Sequence, residues 1–180
     1  MKLLNFYKKN SGFTLIELIV AMGIISILSS VIYLSFDDAR AQTRDKVRMV
    51  TLKEVQLALE LYKSENGRYP TQGCGSGTEF AGPGPAVSGF ASCDTYINNL
   101  IPDYLQELPE DPSREGENGV GIYYRTDTSG TAYKLMFRDS VEQLPISGVD
   151  DEFSRCPSTT CGSSANTNTY AVYSFGAETW

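Results

Sequence analysis

The side chains of this sequence that could carry chemistry are carboxylates and cysteines, because it contains no histidine. The absence of histidine removes the usual general base and the commonest metal ligand. A hydrolase built on this chain would therefore need paired carboxylates in a cleft, such as Glu110 with Asp111, or the acids of residues 150–152. Neighbouring acids on loops are usually solvated. We therefore expect no enzymatic activity.

Four cysteines occur, all of them downstream of the one long apolar segment: Cys74, Cys93, Cys156 and Cys161. Their spacing lacks the paired close ligands of a zinc site, so an even count favours two disulfides in an oxidising compartment. Four cysteines allow three connectivities, and only proximity in sequence favours 74–93 with 156–161. A redox role for the second pair is the alternative, but the C-x-x-C spacing of redox motifs is missing.

The apolar segment covers residues 13–36 and contains a single charged residue, Glu17. As a helix it would rise roughly 36 Å, enough to cross a bilayer core of about 30 Å. Basic residues in 1–12 predict a cytoplasmic N-terminus and an extracytoplasmic remainder. A cleaved secretory signal would be shorter, although residues 39–41 supply an A-x-A site. A permanent anchor fits the length but leaves the buried carboxylate unexplained, since such groups are usually functional.

The junction at residues 11–18, S-G-F-T-L-I-E-L, resembles the leader junction of type IV pilins and type II secretion pseudopilins. The resemblance implies cleavage after Gly12 by a prepilin peptidase and methylation of the new terminus at Phe13. It also implies that Glu17 pairs with the Phe13 amine of a neighbouring subunit during assembly. In a packed apolar core an unpaired carboxylate is costly, so this pairing would set the stagger between subunits.

A helical pattern continues past the membrane segment. Apolar residues recur at three- and four-residue spacing and predict one stripe that packs on the head; these residues are Val47, Val50, Val55, Ala58, Leu59, Leu61 and Tyr62. The helix is expected to end at Asn66-Gly67. Residues 55–70 and 104–112 also resemble major pseudopilins and small pilins. The expected organisation is a leader at 1–12, a membrane and filament-core helix at 13–36, its amphipathic continuation at 37–69, and a head at 70–180.

The head is predicted to be a small antiparallel sheet, which gives an α+β, type IV pilin-like fold. Residues 120–126 and 131–138 form a candidate hairpin around the turn at 127–130, and 170–175 is a third strand candidate. Tyr133, Leu135 and Phe137 alternate onto the face that would pack on the helix. The glycine- and proline-rich residues 71–91 indicate a loop, and 96–101 a short helix ending at Pro102.

The expected function is that of a structural subunit, membrane-stored and then polymerised into a type IV pilus or a type II secretion pseudopilus. The resemblance implies four kinds of partner: copies of the chain itself, the peptidase, a membrane platform with its assembly ATPase, and lipid before assembly. We expect no cofactor. Calcium is the alternative, because major pseudopilins bind it near the C-terminus and residues 174–178 resemble the start of that region.

The negative net charge of the chain argues against nucleic acid as a ligand. Removing the leader takes away three lysines and no acids, which changes the formal net charge from −7 to −10. An acidic surface repels phosphates. A minor pilin that binds DNA or surfaces through its head loops remains the alternative function.

Overall fold

The computed structural model describes residues 12–113, 120–146, 151–157 and 168–180, without the side chains of residues 31–35. The chain divides into two compact units, Met1–Ala39 and Arg40–Trp180. A single helix, α1 (Leu15–Asn66), contributes to both units. It contains no proline, and it ends as predicted because Gly67 takes a φ of +74° and returns its N–H to the Lys63 carbonyl at 2.8 Å.

In the second unit, α1 buries one side against the sheet and leaves the other in solvent. The buried positions recur with alternating steps of three and four residues, the spacing of one helix face; they are Ala41, Asp45, Arg48, Leu52, Val55, Ala58 and Leu59. The predicted stripe is therefore partly wrong. Val47, Val50 and Leu61 lie on the opposite, exposed side. Polar residues occupy the buried side in their place.

The head contains a five-stranded mixed sheet. Its strands are β1 (Phe80–Gly82), β2 (Phe90–Ser92), β3 (Gly121–Thr126), β4 (Tyr133–Arg138) and β5 (Tyr170–Tyr173). Their order is β2-β1-β3-β4-β5, and every pair is antiparallel except β1 with β2. The β3–β4 hairpin and β5 confirm the predicted strands to within two residues.

The inner face of the sheet packs on the helix, as the alternation in β4 predicts. Tyr133, Leu135 and Phe137 share one core cluster with Leu52 and Val55. Full burial of such side chains stabilises a fold by roughly 1.5–3 kcal/mol each. This core fixes the helix against β3, β4 and β5.

The outer face of the sheet carries a second cluster of Phe80, Tyr123, Met136 and Ala171. Arginines cover its aromatic rings. The Arg138 guanidinium lies 4.6 Å from the centre of the Phe90 ring. Both faces of this small sheet are therefore packed.

Two predictions in the first half of the head are wrong. Residues 71–91 were expected to be a loop, but they contain β1 and most of the β1–β2 pairing. Residues 96–101 do not form a helix; they form turns, and Ile97 bridges Gln72. The Ile101–Pro102 peptide is cis.

Candidate functional site

The N-terminal junction is organised by a reciprocal cap on the first turn of α1. The backbone N–H and the hydroxyl of Thr14 donate to Glu17 Oε2 at 2.8 and 2.7 Å. In return the Glu17 N–H donates to Thr14 Oγ1 at 3.3 Å. This is a capping box, which satisfies N–H groups that have no partner within the helix. The T-x-x-E spacing at residues 14–17 could have revealed it in the sequence.

The cap leaves the other carboxylate oxygen of Glu17 available, because both of these bonds use Oε2. The side chains around it are apolar and exposed in the single chain: Phe13 is 92% exposed and Ile16 70%. Gly12 precedes the helix, and an added Cβ there would meet nothing within 4 Å. The three predicted junction residues thus lie together at an open helix start.

A bilayer-spanning stretch is not found among the described residues, where no part of a helix combines the length and apolarity required. The membrane segment at residues 13–36 therefore stays a prediction.

The second unit contains a buried ionic cluster centred on Arg48, whose side chain has no exposed surface. Its guanidinium forms a bidentate pair with Asp111, Nε to Oδ2 at 2.9 Å and Nη2 to Oδ1 at 2.8 Å. The Nη1 group bonds both Asp45 and Glu142 at 2.8 Å. Nη2 also donates to Ser113 at 2.7 Å. One helix side chain thus ties together two loops of the head.

The Asp45 carboxylate binds the backbone of one of these loops, the loop that follows β4. Its carboxylate accepts the N–H groups of Glu142, Gln143 and Leu144 at 2.7–3.1 Å. Arg44 completes the arrangement with a bidentate ion pair to Glu142. Charge-assisted bonds of this kind are stronger than neutral ones. The loop after β4 is therefore held to α1 by both backbone and side-chain bonds.

The electrostatics of the cluster favour the charged forms of Glu142, Asp111 and Arg48. Hydrogen bonding from Arg44 lowers the pKa of Glu142 to about 2, with Arg48 and Ser113 adding to the effect and burial opposing it. Burial alone would raise the pKa of Asp111, but the bonds from Arg48 lower it on balance. Burial would also lower the pKa of Arg48, and the bonds to Asp111 and Glu142 raise it instead.

The sequence-based interpretation missed this cluster. The predicted apolar stripe leaves Arg44 and Arg48 among the remaining, solvated positions of the helix, and the loop acids, Asp111 included, were expected to be solvated. The detectable signal is the helical spacing, since Asp45 and Arg48 fall in phase with Leu52 and Val55. The finding also corrects the candidate catalytic pair, because Asp111 is neutralised by a buried guanidinium and is not free to act with Glu110.

Cys74 and Cys93 form a disulfide, the pairing that proximity favours, with Cα atoms 6.2 Å apart. It joins the segment before β1 to the segment after β2. Cys156 is also disulfide-bonded. Its predicted partner, Cys161, lies outside the described residues.

The C-terminal segment, where the calcium alternative would lie, has main-chain oxygens that are already bound by a lysine. The Lys134 ammonium, buried beneath it, donates to the main-chain oxygens of Glu178 and Trp180 at 2.9 Å and of Ala177 at 3.4 Å. Burial lowers the pKa of Lys134 to about 7, and the charge of Arg155 adds to this. A dication would compete with an ammonium for the same carbonyls. Nor do three metal-ligating side chains converge anywhere in the described part of the chain.

Comparison with known proteins matches the N-terminal segment to one family model. The prokaryotic N-terminal methylation motif covers residues 7–33, which include Gly12, Phe13 and Glu17. The predicted resemblance to type IV pilin-like proteins is confirmed. The long helix with its small sheet agrees with the pilin-like α+β fold.

Relatives with curated names match a longer part of the chain than the family model does. The type II secretion system core protein G of Aeromonas hydrophila is 28% identical over 105 residues, which are 58% of this chain and 68% of that protein. The Escherichia coli (strain K12) protein of the same name is 28% identical over 104 residues, 58% and 67% of the two chains. The type IV major pilin PilA of Myxococcus xanthus is 33% identical over 69 residues, 38% and 31%. No solved structure matches the chain. A structural-subunit role fits these names.

Proposed function

We propose that this chain is the precursor of a filament subunit that is cut between Gly12 and Phe13, methylated on Phe13 and polymerised. The observation that carries the proposal is the N-terminal methylation motif at residues 7–33. Before cleavage the subunit is stored in the cytoplasmic membrane with its leader in the cytoplasm. The head then lies on the extracytoplasmic side, where disulfides persist.

Glu17 would act in assembly through the carboxylate oxygen that the cap leaves available. Cleavage leaves a free amine on Phe13, the residue immediately before Thr14. Within each subunit, this new cation and the capping carboxylate of Glu17 therefore lie at the same helix start. In a core of packed apolar helices the amine of one subunit would pair with Glu17 of the next. Such a buried pair specifies register more than it adds net stability.

The filament is best assigned to the pseudopilus type, in which subunits grow a short periplasmic fibre during protein secretion. The support is coverage: the relatives named core protein G align over 64–70% of their own length, and PilA over 31%. The ionic cluster also suits a subunit under axial load, because it attaches two head loops directly to the helix. The partners would be other copies of the chain, a prepilin peptidase, and a membrane platform with its assembly ATPase.

The first test is co-expression of the full chain with and without a prepilin peptidase, followed by intact mass measurement. The expected product lacks residues 1–12 and carries a methyl group on Phe13. A Gly12→Val chain is the matched control and should stay uncleaved. An unchanged mass in the presence of active peptidase would contradict the proposal.

The second test separates the two roles of Glu17. Glu17→Gln keeps an oxygen for the cap but removes the charge, because glutamine also serves in capping boxes. Thr14→Ala keeps the charge but removes the hydroxyl bonds. We expect normal cleavage in both, loss of sedimentable filaments in the first, and near-normal filaments in the second. Equal filament yields from Glu17→Gln and wild type would refute the assembly role.

A further inference from the structure

The outer face of the sheet collects positive charge. Arg125 lies two residues from Tyr123 in β3, and Lys134 and Arg138 lie two residues on either side of Met136 in β4. Because side chains alternate between the two faces along a strand, all three cations belong to the face that carries Tyr123 and Met136. Three basic residues of two neighbouring strands therefore share one surface.

Arg155 belongs to the same group. It is the one further cation in the part of residues 70–180 that the structure describes. Its charge acts on Lys134 near one end of β4 and on Arg138 at the other, so its guanidinium lies near both. The described cations of the head are thus gathered on one face, although the chain carries a formal net charge of −7.

Two of these arginines have no carboxylate partner. Neither Arg125 nor Arg155 forms an ion pair within the described part of the chain. The Arg125 Nε donates to the Gly77 carbonyl at 3.3 Å, and the buried Arg155 Nε has no hydrogen-bond partner. Burial lowers the pKa of both groups, and Arg138 lowers that of Arg155 further while Asp139 opposes the shift. Like charges held together at such a cost are typical of functional surfaces.

The other two cations of the group are already partnered. Arg138 pairs with Asp139 at 3.3 Å. The Lys134 ammonium is bound by main-chain oxygens of the C-terminal segment, and the charge of Glu178 acts on it. The charge that remains available on this face therefore comes mainly from the two arginines without an ion pair.

Aromatic rings lie among the guanidinium groups. The Arg125 guanidinium is 4.5 Å from the centre of the Trp180 ring and 5.6 Å from that of Phe80, and the Arg138 guanidinium stacks on Phe90. Phe90 and Trp180 are partly exposed. Stacking restrains an arginine before it binds, so less conformational freedom is lost when it pairs with an anion. Arginines and aromatic side chains together are also the residues enriched in protein interfaces.

We propose that the outer face of the sheet binds an acidic segment of another protein, with its carboxylates on Arg125 and Arg155 and its apolar side chains on Phe90 and Trp180. Planar guanidinium groups bind carboxylates through paired hydrogen bonds. A long phosphate polymer such as nucleic acid fits less well, because the acidic surface around this small patch would repel it. Binding here requires neither cleavage nor a filament, so it does not depend on the proposed function.

Peptide binding to the full chain in non-ionic detergent micelles tests this surface. The probe is a fluorescein-labelled peptide of alternating glutamate and leucine, followed by anisotropy, and the same peptide with glutamine for glutamate controls for apolar adsorption. Arg125→Gln/Arg155→Gln should weaken binding of the acidic peptide about tenfold or more, because two charge-assisted contacts are lost. Lys46→Gln/Arg68→Gln changes the net charge equally at two exposed cations outside the sheet, and should weaken binding less than about twofold.

Trp180 supplies a readout that needs no substitution. It is the single tryptophan, and the Arg125 guanidinium covers its ring. The unlabelled acidic peptide should therefore change its emission with the midpoint that anisotropy gives, and added salt should abolish both signals.

Three results would overturn the proposal. The first is no binding of the acidic peptide to the unsubstituted chain, or binding that leaves the Trp180 emission unchanged. The second is equal affinity in the unsubstituted chain and in Arg125→Gln/Arg155→Gln. The third is tighter binding of a duplex DNA fragment that needs the same two arginines, which would assign the surface to nucleic acid instead.

Discussion

Replacing Arg48 by methionine is the most informative perturbation of the head. The change keeps much of the side-chain volume and removes the cation that three carboxylates share. Asp45 keeps three backbone N–H donors, and Glu142 keeps Arg44. Asp111 loses both bonds of its bidentate pair. The loss of folding stability should therefore come mainly from Asp111.

The magnitude follows from burial. Asp111 is 8% exposed, and removing one partner of a buried ion pair costs about 3–5 kcal/mol. We expect Arg48→Met to lower the free energy of unfolding by about 3–4 kcal/mol, near the lower end because Ser113 still donates its N–H to Asp111. Adding Asp111→Asn should recover about half of the loss, since the stranded charge disappears.

Urea unfolding of the full chain in detergent micelles measures this. Trp180, the single tryptophan, reports on the head through its fluorescence. In the variant, acidification should restore part of the lost stability as Asp111 takes up a proton, because burial without the Arg48 cation raises the pKa of this carboxyl. A loss below about 1 kcal/mol, or no recovery in the Arg48→Met/Asp111→Asn chain, would refute the assignment of this cluster as the anchor of the head.

Three further predictions concern pH, the disulfide and a close backbone approach. The folded pKa of Glu142 is about 2 against about 4.3 unfolded, which corresponds to about 3 kcal/mol, or roughly 2 kcal/mol after allowance for solvent screening. This contribution is present above pH 4.3 and lost on acidification towards pH 2. Acid titration of unfolding can follow the loss, and Glu142→Gln should show a shallower pH dependence over this window than the unsubstituted chain. Replacing Cys74 and Cys93 by serine should lower stability by about 3 kcal/mol for a 19-residue loop, and an unchanged urea midpoint would contradict the estimate. Gly73→Ala should lower it by more than about 2 kcal/mol, because the new Cβ would lie 1.6 Å from the Thr95 carbonyl oxygen; Gly23→Ala, with nothing within 4 Å, is the control and should have little effect.

The parts of the fold that could be predicted from the sequence are those where local pattern and final burial agree. The β3–β4 hairpin combines two runs rich in aromatic and branched residues with a turn of Asp127, Ser129 and Gly130. The helix end at Gly67 needs only one residue able to take a positive φ. In both cases the signal lies within a few residues, and tertiary contacts reinforce it.

The parts that could not be predicted depend on contacts distant in sequence. Strands β1 and β2 are three residues each, and their glycine-rich surroundings contain no detectable period; β1 is held by pairing with β3, some 40 residues away. In the sequence, Arg48 resembles a solvated helix arginine. Its partners Asp111 and Glu142 lie 63 and 94 residues further along the chain, so no local pattern reveals them. The exposed and buried sides of α1 were confused because apolar residues occur on both.

The bonds from Asp45 and Arg48 to the head set a practical boundary for truncation. A shortened, soluble version of this protein that began beyond Arg48 would retain every strand and the disulfide between Cys74 and Cys93. It would nevertheless remove the arginine partner of Asp111 and leave three backbone N–H groups of the 142–144 loop without their Asp45 acceptor. Secreted head domains for crystallisation or immunisation should therefore start no later than Arg40, so that the surface they present is that of the intact subunit.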